Sequence, residues 1–136
     1  MVLARAVLDT HVVISALRSK KGASFKLLGL VGERFELCLS VALALEYEDV
    51  AHRATSLPSA VIETIVGSLC RVAHQQTIFF RWRPTLRDPS DEMILDLAVA
   101  AGASYIVTFN HRHFVGADRF GIKVVSPAEL LTILGD

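Results

Sequence analysis

The chain contains little cysteine, carries no excess charge of either sign and has no long apolar run. Cys38 and Cys70 lie in apolar surroundings without ligand-like neighbours, which predicts free thiols in a reducing cytoplasm rather than a disulfide or a zinc site. The longest segment without a formal charge, residues 97–111, holds 15 residues and includes glycine, asparagine and histidine. It is too short and too polar to cross a bilayer, so we expect no membrane span.

Other absences exclude further classes of protein. The first ten residues run directly into an apolar segment and show no signal peptide. A glycine-rich phosphate loop is missing, which argues against a kinase or a P-loop ATPase. The net charge is 0, from 14 basic and 14 acidic residues, so no overall basic field indicates nucleic acid. Local basic clusters at residues 18–26, 81–87 and 111–113 are either solvated surface or phosphate contacts.

The composition is that of a folded domain with a sizeable core. The 136 residues fit a single domain over residues 1–136, of which 52% are hydrophobic, with a mean hydropathy of +0.46. This apolar content is high for a small domain. We therefore expect part of the apolar surface to face a partner, either a second copy or another chain.

Short apolar runs alternate with helical patterns, which predicts an α/β fold with a mostly parallel sheet. The predicted strands cover residues 3–8, 35–39, 77–80, 105–108 and 122–125. The predicted helices cover residues 12–18, 23–32, 41–54, 59–74, 91–101 and 128–134. Ser126, Pro127 and Glu129 have the pattern of a capping box at the start of the last helix, and Gly102 is a stop for the helix before it.

Four oxygen-bearing side chains, Asp9, Glu46, Asp91 and Asn110, lie in apolar sequence at predicted strand ends or helix starts. Carboxylates on core-facing segments are unfavourable unless their charge is compensated. A hard divalent cation such as Mg²⁺ or Mn²⁺ compensates a cluster of oxygen ligands, which indicates phosphate chemistry. Because residues beyond the carboxyl ends of parallel strands line one crevice, all four positions can converge at one edge of the sheet.

Helical spacing separates two of these acids from their neighbours. Asp91 lies on the apolar stripe of its predicted helix, and Glu46 lies on the stripe of another. Glu92 and Asp96 are predicted to lie on a different, solvated face. Each of the four residues also has an ordinary structural interpretation: helix caps for the two aspartates, a buried arginine partner for Glu46 and a turn for Asn110.

Three segments carry a resemblance to a known family: LDTHVVISAL, LALEYEDV and RDPSDEMILDLAVAAGASYIVTFN. In this order they resemble the acidic segments of PIN domains, named after the PilT N-terminus, and the resemblance extends from residue 3 to about residue 134. It implies a three-layer α/β/α fold and a metal-dependent ribonuclease, a hydrolase of RNA phosphodiester bonds. Many bacterial members resemble toxins of toxin–antitoxin pairs, which a small partner protein neutralises.

Carried over by position, the resemblance implies metal ligands at Asp9, Glu46 and Asp91, with Asn110 at the fourth place of the catalytic set. In this hypothesis one or two Mg²⁺ or Mn²⁺ ions are held by the two aspartates, and Glu46 binds directly or through water. A metal-bound water attacks phosphorus, and Glu46 is the best candidate for a side-chain general base.

The chain departs from the family pattern at two places. His11 stands where asparagine is usual, and Asn110 stands where many members have aspartate. The second departure removes a negative charge, which argues against a tightly bound second metal. Asp88 either supplies the missing carboxylate or caps the helix that follows it.

Further residues are assigned supporting roles. Thr10 and Thr108 are predicted to orient the carboxylates, or else to serve in capping and strand packing. The candidate contacts to an RNA substrate are phosphate contacts at His11, Arg112, Arg87 and Lys20, and base-stacking contacts at Trp82 and Phe109. His11 and Phe109 have alternative structural roles, in filling space and in the core.

Two hypotheses about partners and activity remain beside the ribonuclease. The first is a PIN-like scaffold whose weakened site binds RNA or protein without cutting it, and Asn110 is the residue that favours it. The second concerns assembly: broad apolar faces on the third and fourth predicted helices predict a homodimer, unless they pack wholly within the monomer. The resemblance adds an antitoxin-like small protein as a further partner.

Overall fold

The computed structural model describes residues 2–78 and 89–136, and within them five strands form one sheet. The strands are β1 (Arg5–Leu8), β2 (Glu36–Leu39), β3 (His74–Gln75), β4 (Tyr105–Val107) and β5 (Lys123–Val125). They lie in the order β3-β2-β1-β4-β5, and each pair of neighbours is parallel. The prediction of a mostly parallel sheet is therefore confirmed.

The described residues also form six α-helices and two 3₁₀ helices, which cover the sheet in the predicted three-layer α/β/α arrangement. The α-helices are α1 (Thr10–Arg18), α2 (Ala23–Leu28), α3 (Val41–Ala54), α4 (Ser59–Val72), α5 (Pro89–Ala101) and α6 (Pro127–Ile133). The first 3₁₀ helix covers His111–Phe114 and the second covers Ala117–Phe120. α5 packs against β1, β2 and β4, whereas α1 packs against α2 and α3, and α3 against α4.

The strands at the centre of the sheet are covered on both faces. Ala6, Val7 and Leu8 are consecutive in β1 and all are buried, and Ile106 and Val107 repeat this pattern in β4. Because successive side chains of a strand point to opposite faces, burial of consecutive residues requires helices on both sides. In the part of the chain that the structure describes, no helix is both long enough and apolar enough to cross a membrane.

Both cysteines are free thiols, as predicted. Cys38 is buried in β2, and burial raises the pKa of its thiol from 9.0 to about 11. Cys38 therefore remains protonated at neutral pH and packs as a small apolar residue. Cys70 is half-buried on α4.

Two helix ends follow the predicted local chemistry. The Ser126 side chain accepts a hydrogen bond from the Glu129 N–H, and the Glu129 carboxylate accepts one from the Ser126 N–H, with Pro127 at the first turn of α6. Gly102 ends α5 with a φ of 65°, in the left-handed region that a residue without a side chain adopts at little cost.

The third strand differs from its prediction. His74 and Gln75 pair with Cys38 and Leu39 of β2, whereas residues 77 and 78 belong to no strand. The preceding helix correspondingly ends at Val72, before the predicted residue 74. The position of β3 depends on its pairing with a strand far away in sequence, which a local apolar run does not reveal. Residues 79 and 80 of the predicted strand lie outside the described residues.

Candidate metal and catalytic site

The sheet reverses its strand order between β1 and β4. The chain adds β2 and β3 on one side of β1 and then returns to add β4 and β5 on the other. In parallel α/β sheets, the crevice beyond the carboxyl ends of the strands at this reversal is the usual ligand site. Asp9 directly follows β1, and Thr108 and Asn110 follow β4. The topology therefore places three of the predicted residues at the reversal.

Asp9 is held by a hydrogen bond across the two strands. It is 8% exposed, and its Oδ2 accepts a hydrogen bond from the Thr108 Oγ1 at 2.7 Å. Thr108 is fully buried, and its hydroxyl also accepts the N–H of Asn110 at 3.0 Å. The Asp9 backbone begins α1, but within that described helix its side chain makes no capping hydrogen bond. The carboxylate faces β4 and does not serve as a helix cap.

Glu46 joins the segments that carry the two aspartates. Its Oε2 accepts a hydrogen bond from the Thr10 Oγ1, and its Oε1 accepts one from the Ser90 Oγ at 3.1 Å. Thr10 follows Asp9 in the sequence and Ser90 precedes Asp91, so these two hydroxyls join Glu46 to the segments that carry both aspartates. Among the described residues Glu46 has no arginine partner, contrary to its ordinary structural interpretation.

Asp91 lies in the first turn of α5 and is 8% exposed. A carboxylate at the start of a helix interacts favourably with the helix dipole. Asp91 Oδ2 also lies 3.3 Å from Nδ1 of His113, which projects from the first 3₁₀ helix. A side chain of the 3₁₀ helix that follows β4 therefore contacts the Asp91 carboxylate of α5.

Two neighbours of Asp91 do not lie where the helical spacing predicted. Glu92 is 3% exposed and Asp96 is half-buried, so the prediction of a solvated face for both is wrong. The reason is that α5 packs against three strands, against α3 and against the first 3₁₀ helix. This surrounding contact buries a wider arc of α5 than a single apolar stripe.

The first 3₁₀ helix is held on two sides. His111 Nε2 lies 3.3 Å from Glu129 Oε1 of α6, while His113 contacts Asp91 of α5. Hydrogen bonds from Ser126 lower the pKa of the Glu129 carboxyl, with a smaller contribution from the nearby His111. Phe114 at the end of the same helix is buried. These contacts fix the backbone just after Asn110, whose own side chain is exposed.

Tyr47 lies beneath the site. Its hydroxyl donates a hydrogen bond to the Leu8 carbonyl at 2.6 Å, which joins α3 to the end of β1. Burial raises the pKa of Tyr47 well above its usual value, and the nearby charges of Asp9 and Glu46 raise it further. The pKa of this one buried phenol therefore depends on the charges of both carboxylates.

The candidate substrate contacts occupy different places. His11 is exposed at the start of α1, and Arg112 is exposed on the first 3₁₀ helix beside Asn110. Lys20 lies beyond the opposite end of α1, about 14 Å along the helix axis from Asp9, so it can contact only a more distant phosphate. Phe109 is 53% exposed and does not belong to the core. Arg87, Asp88 and Trp82 lie outside the described residues.

The carboxylates fit a divalent cation in donor chemistry. Asp9 is buried, and among the described residues it forms no ion pair with lysine or arginine, so its charge needs another counter-ion. Hydroxyls that hold the carboxylates, as Thr108, Thr10 and Ser90 do, are typical of the surroundings of metal ligands. In the described residues, however, no three His, Cys, Asp or Glu side chains are already grouped as ligands of one ion. A bound ion would therefore need water ligands or small side-chain rotations.

The comparison with known families shows which family the chain belongs to. A family model described as PIN domain matches residues 5–112, which is most of the chain. The chain belongs to the PIN domain family. PIN domains are generally nucleases that use divalent metal ions. No curated protein matches the chain.

A solved structure shares the PIN fold. The crystal structure of VapBC2 from Rickettsia felis, bound to a DNA fragment from their promoter, matches with a TM-score of 0.60. The match covers 88% of this chain and 96% of that chain at 12% sequence identity. At this identity the likeness shows the fold alone.

Sequence reasoning missed three residues of this PIN domain site. Ser90 and Tyr47 make hydrogen bonds that support Glu46 and β1, and His113 contacts Asp91. Ser90 and Tyr47 are each adjacent in sequence to a predicted acid, which is a weak signal. The contact of His113 requires the 3₁₀ helix, which the sequence pattern did not predict.

Proposed function

We propose that this PIN domain is a metal-dependent endoribonuclease that hydrolyses RNA phosphodiester bonds and acts as the toxin of a toxin–antitoxin pair. The observation that carries the proposal is a set of three hydrogen bonds at the strand reversal: Thr108 donates to Asp9, while Thr10 and Ser90, the neighbours of Asp9 and Asp91 in the sequence, donate to Glu46. Two buried aspartates and a half-buried glutamate offer the kind of oxygen donors that Mg²⁺ or Mn²⁺ binds.

Each carboxylate and hydroxyl of the site has its own role in the proposed reaction. Asp9 and Asp91 are the residues that would hold the ion, and Glu46 would bind it through water or directly. When bound, the ion supplies positive charge for the transition state and makes a bound water easier to deprotonate. Thr108 fixes the orientation of Asp9, while Thr10 and Ser90 fix that of Glu46. Glu46, the most accessible of the three carboxylates, is best placed to take a proton from water.

The test is cleavage of single-stranded RNA by the purified chain with Mn²⁺ or Mg²⁺, stopped by a chelator. Asp91→Asn should lower the cleavage rate by about 100-fold or more, because it removes a ligand charge from a preorganised site. Asp49→Asn is the matched control, since Asp49 is exposed on α3 and pairs only with Arg53 at 2.9 Å in the described structure. Asp96 is unsuitable as a control, since it is half-buried.

The outcome is read from both variants together. Equal rates for Asp91→Asn and Asp49→Asn would contradict the assignment of Asp91 as a ligand. Cleavage that persists unchanged with excess chelator would contradict metal dependence altogether. Thermal unfolding of each variant shows whether a loss of rate reflects a loss of folded protein.

The partner proposal rests on the sequence resemblance to toxins and on the VapBC2 likeness. We propose an antitoxin-like small protein as the natural inhibitor of this chain. Where the genome carries a short open reading frame beside the gene, co-expression with its product should give a stable complex that no longer cleaves RNA. A neighbouring product that neither binds the chain nor inhibits it would remove the support for a toxin–antitoxin pair.

A scaffold that binds without cutting is the second candidate. Asn110 supplies a neutral amide where a carboxylate would bind metal more strongly, and the described residues hold no preformed three-ligand group. RNA binding that is unaffected by chelator, together with no cleavage by the wild-type chain, would favour this candidate.

A further inference from the structure

His113 lies against one of the proposed metal ligands. Its Nδ1 is 3.3 Å from Asp91 Oδ2, and the two side chains are 49% and 12% exposed. The imidazole therefore lies on the solvent side of a buried carboxylate, at the mouth of the crevice beyond β4. His113 lies three residues after Asn110, the position at which the oxygen set lacks a charge.

The spacing of the two atoms suits ligands of one ion. Two atoms that each lie about 2.1 Å from an ion, at a right angle to each other, are about 3 Å apart. The observed 3.3 Å between nitrogen and oxygen is close to that separation. Imidazole is a ligand for transition metals, whereas Mg²⁺ prefers oxygen and keeps its waters.

The backbone that carries His113 is held independently of this contact. The first 3₁₀ helix is joined to α6 through His111 and Glu129, and Phe114 anchors it in the core. His113 therefore does not need to pair with Asp91 to keep the segment folded. Its position at the acid is a property of the fold around it.

We propose that His113 is a nitrogen ligand of the divalent metal, beside Asp91, so that this site selects Mn²⁺ over Mg²⁺. The inference rests on the proposed function, because it assigns a ligand to that same site. The pair supplies two ligands and water supplies the others, because in the described residues no third His, Cys, Asp or Glu side chain is grouped with them. A neutral imidazole adds a ligand without restoring the negative charge that Asn110 lacks, and it makes the donor set one of oxygen and nitrogen.

The direct test is electron spin echo envelope modulation of the full chain loaded with Mn²⁺ alone. The wild type should show the nitrogen modulation of one coordinated imidazole. His113→Ala should lose that signal, whereas His52→Ala should keep it. His52 is the control because it is an exposed histidine near the end of α3, and its Nδ1 lies 2.8 Å from the Glu48 carbonyl oxygen.

Calorimetry with each ion supplies a second readout. His113→Ala should weaken Mn²⁺ binding by about tenfold and change Mg²⁺ binding by less than about twofold. His52→Ala should change neither. The melting temperature of the metal-free variants checks that both remain folded.

The outcomes separate this inference from the proposed function. Mn²⁺ that binds without nitrogen modulation, or a signal that persists in His113→Ala, overturns the role of His113 but leaves the ribonuclease proposal intact. A wild-type chain that binds no Mn²⁺ overturns both. Equal weakening of Mn²⁺ and Mg²⁺ binding would show that His113 acts only on the orientation of Asp91.

Discussion

Three hydroxyl side chains hold two of the three carboxylates of the candidate site in place. Thr108 donates to Asp9, and Thr10 and Ser90 donate to the two oxygens of Glu46. A hydroxyl satisfies one lone pair of a carboxylate without neutralising its charge, unlike a lysine or an arginine. The site thereby keeps the negative charge that a cation needs, while the hydroxyls restrict the orientation of the Asp9 and Glu46 carboxylates.

Asn110 gives a prediction about metal affinity. Its side chain is exposed beside the crevice, so Asn110→Asp should be accepted without loss of folding. A carboxylate binds a hard cation more strongly than a neutral amide, and the metal concentration for half-maximal activity should fall by about tenfold. Calorimetry with Mn²⁺ and cleavage at graded metal concentrations measure the two effects.

The control for this change is Gln75→Glu. It makes the same amide-to-carboxylate replacement on β3, at an exposed position two strands away from β1. It should leave Mn²⁺ binding unchanged. Unchanged or weaker Mn²⁺ binding by Asn110→Asp would show that residue 110 does not lie near the metal.

At the scale of elements, Tyr47 connects α3 to the end of β1. Tyr47→Phe removes the hydrogen bond to the Leu8 carbonyl and leaves a buried acceptor without this donor, which should lower the free energy of unfolding by about 1–2 kcal/mol. Urea unfolding at neutral pH measures this loss. A change smaller than the error of the measurement would show that the bond does not stabilise the junction of α3 and β1.

The same variant should change the response to alkaline pH. Because the pKa of Tyr47 is raised in the folded chain, the stability that its neutral form contributes is complete below the unfolded pKa of about 10 and is lost as pH rises above it. At about pH 10.5 this loss is about 1 kcal/mol in the wild type and absent in Tyr47→Phe. Cys38, whose pKa is also raised, contributes equally to both proteins. Tyr105→Phe is the control. It keeps Tyr47, so the loss of stability at alkaline pH that Tyr47 causes should remain in this variant.

The elements that the sequence predicted best are those determined by local chemistry. α3 begins and ends at the predicted residues, because Ser40 caps its start by accepting the Leu43 N–H and its apolar stripe faces the core. β3 was misplaced, because its position is set by pairing with β2. The two 3₁₀ helices were not predicted, since a single turn carries no periodicity long enough to detect.

The candidate site shows the same contrast between features that local sequence predicts and features that depend on distant parts of the chain. Apolar sequence around Asp9, Glu46 and Asp91 predicted that these acids face the interior, and in the structure both aspartates are buried and Glu46 is hydrogen-bonded to a sequence neighbour of each. Glu92 was misassigned because burial of α5 comes from several partners at once. The contact of His113 with Asp91 joins residues whose approach depends on β4 and the turn after it, so no local pattern indicates it.

For the whole molecule, the high apolar content of the sequence raises the question of where the apolar side chains that are not in the core lie. In the monomer, Ile62, Val66 and Leu69 of α4 are buried, so part of the face predicted for dimerisation packs internally. Val61 and Val72 of that face are exposed. Between α3 and α4 there is also an open, mostly apolar groove of about 260 Å³. It is lined by Val41, Ala44, Leu45, Glu48, Glu63, Val66, Gly67, Cys70 and Gln75.

The homodimer therefore remains a prediction, and the exposed part of this surface is the place to test it. Val41 and Leu45 on the wall of the groove are 73% and 60% exposed, which is unfavourable for neighbouring large apolar side chains in a lone monomer. Light scattering of the wild-type chain at tens of micromolar should give the mass of a dimer. A monomeric mass across a range of salt would contradict the prediction.

Leu45→Glu should dissociate that dimer, because an unpaired carboxylate is strongly disfavoured in an apolar interface. The substitution should not unfold the monomer, since Leu45 is largely exposed there, whereas Ile65 on α4 is half-buried and a charge at that position would also disturb the fold. Val115→Glu is the matched control: Val115 is 73% exposed and lies after the first 3₁₀ helix, away from the groove. It introduces the same charge and should leave the dimer intact. A folded Leu45→Glu protein that stays dimeric would place the interface on another surface, and the groove would then be left open to a different partner.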